Sequence, residues 1–257
     1  MLAATREAGA AILSLRQGHL RADRKANGSL VSAADHAASE IIGTHLRALD
    51  PGLPVVCEEA SRDTAGAARF WLVDPLDGTR EYLRGSDLFS VNVALVADGY
   101  PLFGAIHLPA LELSYWGAAG LGARRNGDAI RARRLAEAGR RLRVLLSPGE
   151  GAAWQPVLDA ALARLGLDTE LEPVAGAIKF CWLAEGRGDL YPRRTRTCAW
   201  DTAAGQAILE AAGGAVYDAD WQRLRYRQSP GWHNGDFFAV ADASVAWSGL
   251  FGGREAG

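Results

Sequence analysis

A short apolar run, Trp71-Leu72-Val73, passes directly into Asp74-Pro75-Leu76-Asp77-Gly78-Thr79, which supplies two carboxylates, a proline, a glycine and a hydroxyl within six residues. A strand of Trp, Leu and Val belongs in a core, and strand ends are where rigid scaffolds present chemistry. Asp74 and Asp77 lie three apart across a proline-containing turn, which brings both carboxylates and the Leu76 carbonyl toward one point. Hard oxygen donors converging in this way suit magnesium. Gly78 lets the backbone approach a ligand closely, and the N–H groups around Thr79 can open a short helix whose positive end favours phosphate. Taken alone, the same residues also fit an Asx turn with a helix cap.

Two more acidic elements share this character. Glu58-Glu59 follows the apolar segment 54–57, so it too leaves a strand end; in isolation it would be a surface charge cluster. Ala199-Trp200-Asp201-Thr202-Ala203-Ala204-Gly205 places one acid at the start of a small-residue helix, where a single Asp is ordinarily an N-cap.

The spacing of apolar residues predicts a helix over 2–17 stopped by Gly18, and a second over 33–49 behind Ser32, with Asp35 in its first turn. Strands are expected at 54–57, 70–73, 90–97, 102–108 and 111–116, forming a mainly antiparallel sheet, with Asn126-Gly127 as a hairpin turn. Strands and helices then alternate: strand 142–146, helix 154–165, strand 171–174, helix 178–185, an extended piece from Leu190, helix 200–212 stopped by Gly213-Gly214, and strand 215–217. An N-terminal α+β lobe at 1–140 and a C-terminal α/β lobe at 141–257 follow, with the site in the cleft between them.

With 49% apolar and 23% charged residues among 257, the chain is a folded globular one. Its 28 Lys and Arg against 30 Asp and Glu leave no basic excess for a nucleic-acid polymer. No apolar run approaches the roughly 20 residues of a membrane helix, and no secretory signal is visible, so a cytoplasmic location is expected, with peripheral membrane association left open. Three cysteines without CxxC spacing argue against a disulfide framework or a structural zinc site. The five scattered histidines read as surface or packing residues, and no segment demands an obligate protein partner.

In order and spacing, Val31-Ser32-Ala33-Ala34-Asp35, Val55-Val56-Cys57-Glu58-Glu59, Asp74-Pro75-Leu76-Asp77-Gly78-Thr79 and Trp200-Asp201-Thr202-Ala203-Ala204-Gly205, with Ala212-Gly213-Gly214 behind them, resemble the signatures of the magnesium-dependent, lithium-sensitive inositol monophosphatase superfamily. They span most of the chain. The resemblance implies an α/β (α+β) fold, a layered αβαβα sandwich of the inositol monophosphatase/fructose-bisphosphatase type with two close lobes. It implies two or three Mg²⁺ ions held by Glu58, Asp74 as the bridging ligand, the Leu76 carbonyl, Asp77 and Asp201, with Glu59 behind them. It further implies that a metal-activated water attacks the phosphate, that Thr79 and Asp35 form its proton path, that Glu58 is catalytic as well as ligating, and that Gly78, Thr79 and Asp201 bind the substrate.

Arg80-Glu81-Tyr82, Gly176-Ala177-Ile178-Lys179-Phe180-Cys181 and Asp189-Leu190-Tyr191-Pro192-Arg193 are similar to one branch, the bacterial 3'(2'),5'-bisphosphate nucleotidases of the CysQ type. That branch implies hydrolysis of adenosine 3',5'-bisphosphate to AMP and phosphate, with Lys179 and Arg193 receiving the second phosphate; a pair of surface cations is the plainer reading of those two residues. Related nucleotidases tend to carry a Ser-Arg-Ser-His-like stretch where this chain has Leu146-Ser147-Pro148-Gly149-Glu150, and proline where it has Leu30. An inositol monophosphatase or a broad sugar phosphatase of the same superfamily is the alternative, followed by a non-catalytic metal- or nucleotide-binding relative.

Overall fold

The computed structural model describes residues 1–16, 22–24, 30–60, 63–64, 66–139, 141–163, 166–228 and 230–251; the expected helix stop at Gly18 and the Gly28-Ser29 part of the early loop lie outside them. The chain opens with α1 (Leu2–Arg16), a short hairpin of β1 (Ala22–Arg24) and β2 (Leu30–Ser32), and α2 (Ala33–Leu49). Ser32 starts α2 with a reciprocal cap: its hydroxyl accepts from the Ala34 N–H at 3.2 Å, while Asp35 Oδ2 accepts from the Ser32 N–H at 2.8 Å. Asp35 is therefore locked in the first turn and buried.

Next comes a seven-stranded sheet in sequential order, formed by β3 (Val55–Cys57), β4 (Arg69–Asp77), β5 (Ser90–Ala97), β6 (Tyr100–Leu108), β7 (Leu113–Ala118), β8 (Gly122–Arg125) and β9 (Asp128–Ile130), with the short α3 (Thr79–Leu83) leaving the end of β4. It is antiparallel except for the β3–β4 pair, which is parallel, so the sheet is mainly antiparallel as expected. Asn126-Gly127 does turn the β8–β9 hairpin. The strand expected at 70–73 runs on to Asp77 through a bulge: Asp74 faces Asn92 and Asp77 faces Ser90, so Pro75 and Leu76 oppose a single residue of β5. Pro75 has no N–H to contribute to a ladder, and a bulge gives it a place while re-aiming its neighbours.

The second half contains β10 (Arg141–Leu146), α4 (Gly151–Leu162), β11 (Asp168–Pro173), α5 (Ile178–Ala184), β12 (Leu190–Arg193), β13 (Thr197–Cys198), α6 (Ala199–Ala211), β14 (Ala215–Asp218), β15 (His233–Asn234), β16 (Phe237–Val240) and α7 (Ser248–Phe251). Its five-stranded sheet has the order β11-β10-β12-β16-β14, with β13 and β15 as a separate pair. The sequence reading has no strand at 237–240, yet β16 lies between β12 and β14 and closes the sheet. Its run Phe-Phe-Ala-Val is too short to carry a period of its own.

Five layers result. The apolar faces of α1 and α2, through Ala8, Ile12, Ala38, Ile42 and Leu46, pack on one face of the large sheet against Trp71, Val73 and Val91. The opposite face buries Leu72, Ala94 and Ile106 against α5, α6 and the inner face of the second sheet. The outer face of that sheet is covered by α4 and α7, with Trp154, Leu158 and Trp247 in its core. The fold is thus the αβαβα sandwich, with β4 and α6 meeting at its centre.

Candidate active site

Three strand and helix ends converge beside the bulge. Asp74 is held by the Leu76 N–H, which donates to its Oδ1 at 3.0 Å, and it is 2% exposed. Glu58 follows β3, whose parallel pairing continues through the Glu58 N–H donating to the Val73 carbonyl at 3.2 Å, so the two acids emerge side by side. Asp201 lies one turn into α6 and accepts from the Cys198 N–H at 2.7 Å, the helix cap that its position in the sequence suggests. Ligand oxygens of Glu58, Asp74 and Asp201 all lie within 4.8 Å of one another.

Asp77 borders the same cavity and is held from another side. Its Oδ2 accepts from the Ala177 N–H at 2.5 Å, which ties the bulge to the loop before α5. Gly176, with φ +66, makes that approach possible, because a Cβ there would stand 2.9 Å from Asp77 Oδ2. Thr79 Oγ1 stands 3.2 Å from Asp35 Oδ1 and equally from the Leu76 carbonyl. Gly78 takes a left-handed conformation at φ +88, close against the Leu88 carbonyl and Phe89. Glu58, Asp74, Leu76, Asp77, Gly78, Thr79 and Asp201 all border one cavity of about 340 Å³.

Burial dominates the electrostatics. The Asp74 carboxyl is held well above its ordinary range by desolvation, and then by the neighbouring Glu58, Asp77 and Asp201 charges. Desolvation and then Asp77 push Asp201 up to about 8. Burial also raises Asp77, against the Ala177 N–H and Lys179, and raises Asp35 against its Ser32 and Thr79 hydrogen bonds. Oxygen-only donors crowded together at this cost in repulsion fit a hard divalent cation, which would relieve it.

A narrower chamber of about 120 Å³ opens from Asp77 and Asp201 toward Ser147, Lys179, Tyr191 and Arg193. Lys179 is 2% exposed; its Nζ donates to the Val174 and Gly176 carbonyls at 2.9 and 2.8 Å and lies 4.7 Å from the Tyr191 ring centre. Desolvation lowers its ammonium to about 7. Arg193 Nη1 donates to Ser147 Oγ and, at 3.1 Å, to Glu150 Oε1. Of the expected site residues, Glu58, Asp74, Leu76, Asp77, Gly78, Thr79, Lys179, Arg193 and Asp201 border one of two adjoining cavities, whereas Asp35 borders neither and meets the site through its hydrogen bond with Thr79. Sequence reasoning missed Ala177 as the holder of Asp77, and Asn234, whose amide donates to Thr197 Oγ1, the Cys198 carbonyl and Thr202 Oγ1 at the start of α6. The Gly176-Ala177 pair carried a signal for the first; a lone Asn in a two-residue strand carried none for the second.

The chain is 37% identical over 226 residues to the 3'(2'),5'-bisphosphate nucleotidase CysQ of Salmonella typhimurium, covering 86% of this chain and 90% of that one. Identity to the Escherichia coli K12 protein of the same name is also 37%, over 229 residues with the same coverage. Among solved structures, CysQ from Bacteroides thetaiotaomicron superposes with a TM-score of 0.76 at 32% identity over 93% of this chain and 94% of that one. The Thermotoga maritima IMPase superposes with a TM-score of 0.76 at 23% identity over 93% and 89%, a likeness of fold. The family model described as the inositol monophosphatase family matches residues 1–241, which include all the acids of the site. With the layered sandwich, the acidic cluster and that match in agreement, this chain belongs to the inositol monophosphatase family.

Proposed function

We propose that this protein is a Mg²⁺-dependent phosphomonoesterase that removes the 3'-phosphate of adenosine 3',5'-bisphosphate, yielding AMP and phosphate. The observation that carries the reading is the cluster of Glu58, Asp74 and Asp201 oxygens within 4.8 Å, next to a chamber bordered by Lys179 and Arg193. The relatives named as 3'(2'),5'-bisphosphate nucleotidases support the substrate.

Glu58, Asp74, the Leu76 carbonyl, Asp77 and Asp201 would hold the metal. When bound, Mg²⁺ supplies the positive charge that stabilises phosphoryl transfer and makes water a competent nucleophile at neutral pH. The chain's own residues supply the rest. Thr79 Oγ1 accepts from the attacking water and donates to Asp35 Oδ1, so the proton has a path away from the phosphate. Asp35 is held in place for this by the Ser32 N–H and hydroxyl on its other oxygen. The backbone N–H groups following Gly78 face the phosphate being cleaved. Arg193 and Lys179 stand where a second phosphate would sit, and the Tyr191 ring closes the chamber behind them.

Phosphate release in Mg²⁺ from adenosine 3',5'-bisphosphate, inositol monophosphate and fructose bisphosphate, each with and without lithium, tests the reading. The nucleotide is expected to be preferred, and lithium to inhibit. Asp77→Asn should abolish release while the circular dichroism spectrum stays unchanged. One observation favours a second reading, an inositol or sugar phosphatase: the loop beside Arg193 contributes the carboxylate of Glu150 where a nucleotide anion would profit from a cation. Preference for inositol or sugar phosphate would select it.

A further inference from the structure

We propose that Glu150 sets how strongly this site takes a substrate's second phosphate, because it clamps Arg193 in position and at the same time offsets its charge. The inference rests on the phosphatase reading above and deepens it. Arg193 is fixed on two sides: Nη1 donates to Ser147 Oγ and to Glu150 Oε1 at 3.1 Å, and Nε donates to the Thr195 carbonyl at 3.2 Å. Thr195 Oγ1 also donates to Glu150 Oε1, at 2.7 Å. One carboxylate oxygen therefore gathers two donors and binds the loop after β10 to the turn after β12.

The spare valences complete the argument. Among the described residues Arg193 Nη2 has no hydrogen-bond partner, so a ligand in the chamber meets a guanidinium with two nitrogens committed and one free. Glu150 Oε2 is buried and also lacks a hydrogen-bond partner, so the negative charge is not consumed by other donors. Both side chains are only 16% exposed, which leaves the pair weakly screened. Lys179, the other cation bordering the chamber, already spends its ammonium on two carbonyls and the Tyr191 face. A phosphate arriving at Arg193 is thus met by a well-placed donor whose charge Glu150 largely balances. Glu150 is a positioning and selectivity residue, acting on the substrate through Arg193.

Glu150→Gln separates the two effects, since the amide oxygen keeps both hydrogen bonds while the charge is lost. The readout is the KM for adenosine 3',5'-bisphosphate divided by that for adenosine 3'-monophosphate, in saturating Mg²⁺, with thermal unfolding confirming that the variant is folded. The ratio should fall about fivefold, carried by the KM for the bisphosphate, as expected for removing one weakly screened charge at this range. In an Arg193→Met background the same substitution should produce no fall. An unchanged or higher ratio in Glu150→Gln, or a fall that survives Arg193→Met, overturns the proposal. Should the wild type release no phosphate from the nucleotide, the nucleotidase reading fails by itself. The same variants are then read on fructose 1,6-bisphosphate against fructose 1-phosphate, where absence of the fall overturns the role of Glu150.

Discussion

Thr79 Oγ1 stands at 3.2 Å from two acceptors, Asp35 Oδ1 and the Leu76 carbonyl. If that carbonyl were to ligate a cation, the hydroxyl would keep Asp35 as its acceptor, and its own lone pairs would be left for water. Thr79→Ala should then lower kcat by about a hundredfold or more, the scale of a positioned proton-transfer group, with KM little changed. Thr79→Ser should recover most of the rate, since it keeps the hydroxyl. Steady-state phosphate release on both variants checks this; equal losses in the two would show that the methyl group, not the hydroxyl, matters. The fate of Lys179 is decided at the same scale. In sequence it is a cation three residues beyond a glycine, whereas in the structure its ammonium fastens the very loop whose Ala177 N–H holds Asp77.

The element that does most to assemble the site is α6. Its Ala203-Ala204-Gly205 run leaves no side-chain bulk, and the large sheet answers with glycine: a Cβ on Gly104 of β6 would stand 2.2 Å from the Ala204 carbonyl oxygen, and one on Gly117 of β7 would stand 2.7 Å from Ile208 Cα. The helix therefore lies directly on the strands, and this closeness carries Asp201 at its first turn up to Asp74. Gly104→Ala pushes backbone against backbone and should destabilise the fold by about 3 kcal/mol, at the upper end for overpacking. Thermal and urea unfolding measure the loss, and a change below about 0.5 kcal/mol would mean that α6 can ride up without penalty. Separately, the bulge in β4 turns one continuous strand into a ligand cradle. Asp74 and Asp77 would otherwise differ in facing by the strict alternation of a strand.

For the molecule as a whole, the crowded acids make stability depend on pH and metal together. Asp201 ionises near 3.8 in an unfolded chain and at about 8 here, with Asp74 and Asp77 raised as well. The folded protein thus binds more protons than the unfolded one between those values, so without metal this contribution is full below 3.8 and is lost as pH rises through about 8. Mg²⁺ competes with those protons, and its affinity rises over the same window. The Mg²⁺-induced increase in Tm should accordingly be larger at pH 8.5 than at pH 6, as differential scanning calorimetry with and without a chelator would read. An increase that is equal or greater at pH 6 would show that the cluster ionises normally without metal.

Local chemistry was legible in the sequence because it is written in neighbouring residues. The cap of Ser32 with Asp35, the Asn126-Gly127 turn, the Asp-Pro-Leu-Asp-Gly-Thr cradle and the helix stop at Gly213-Gly214 each depend on contacts within a few positions of the chain. The order of the acidic motifs was enough to place the chain in its family and thereby to imply the layered sandwich. Everything that depends on distant segments was decided by the tertiary structure. The parallel pairing of β3 with β4, the insertion of β16 between β12 and β14, and the hold of Ala177 on Asp77 join residues that no periodicity relates. So does the meeting of Glu150 with Arg193, 43 positions apart. A carboxylate's neighbours within one turn follow from its sequence, but its charge state follows from what is packed around it. Burial and opposing charge are properties of the assembled layers alone.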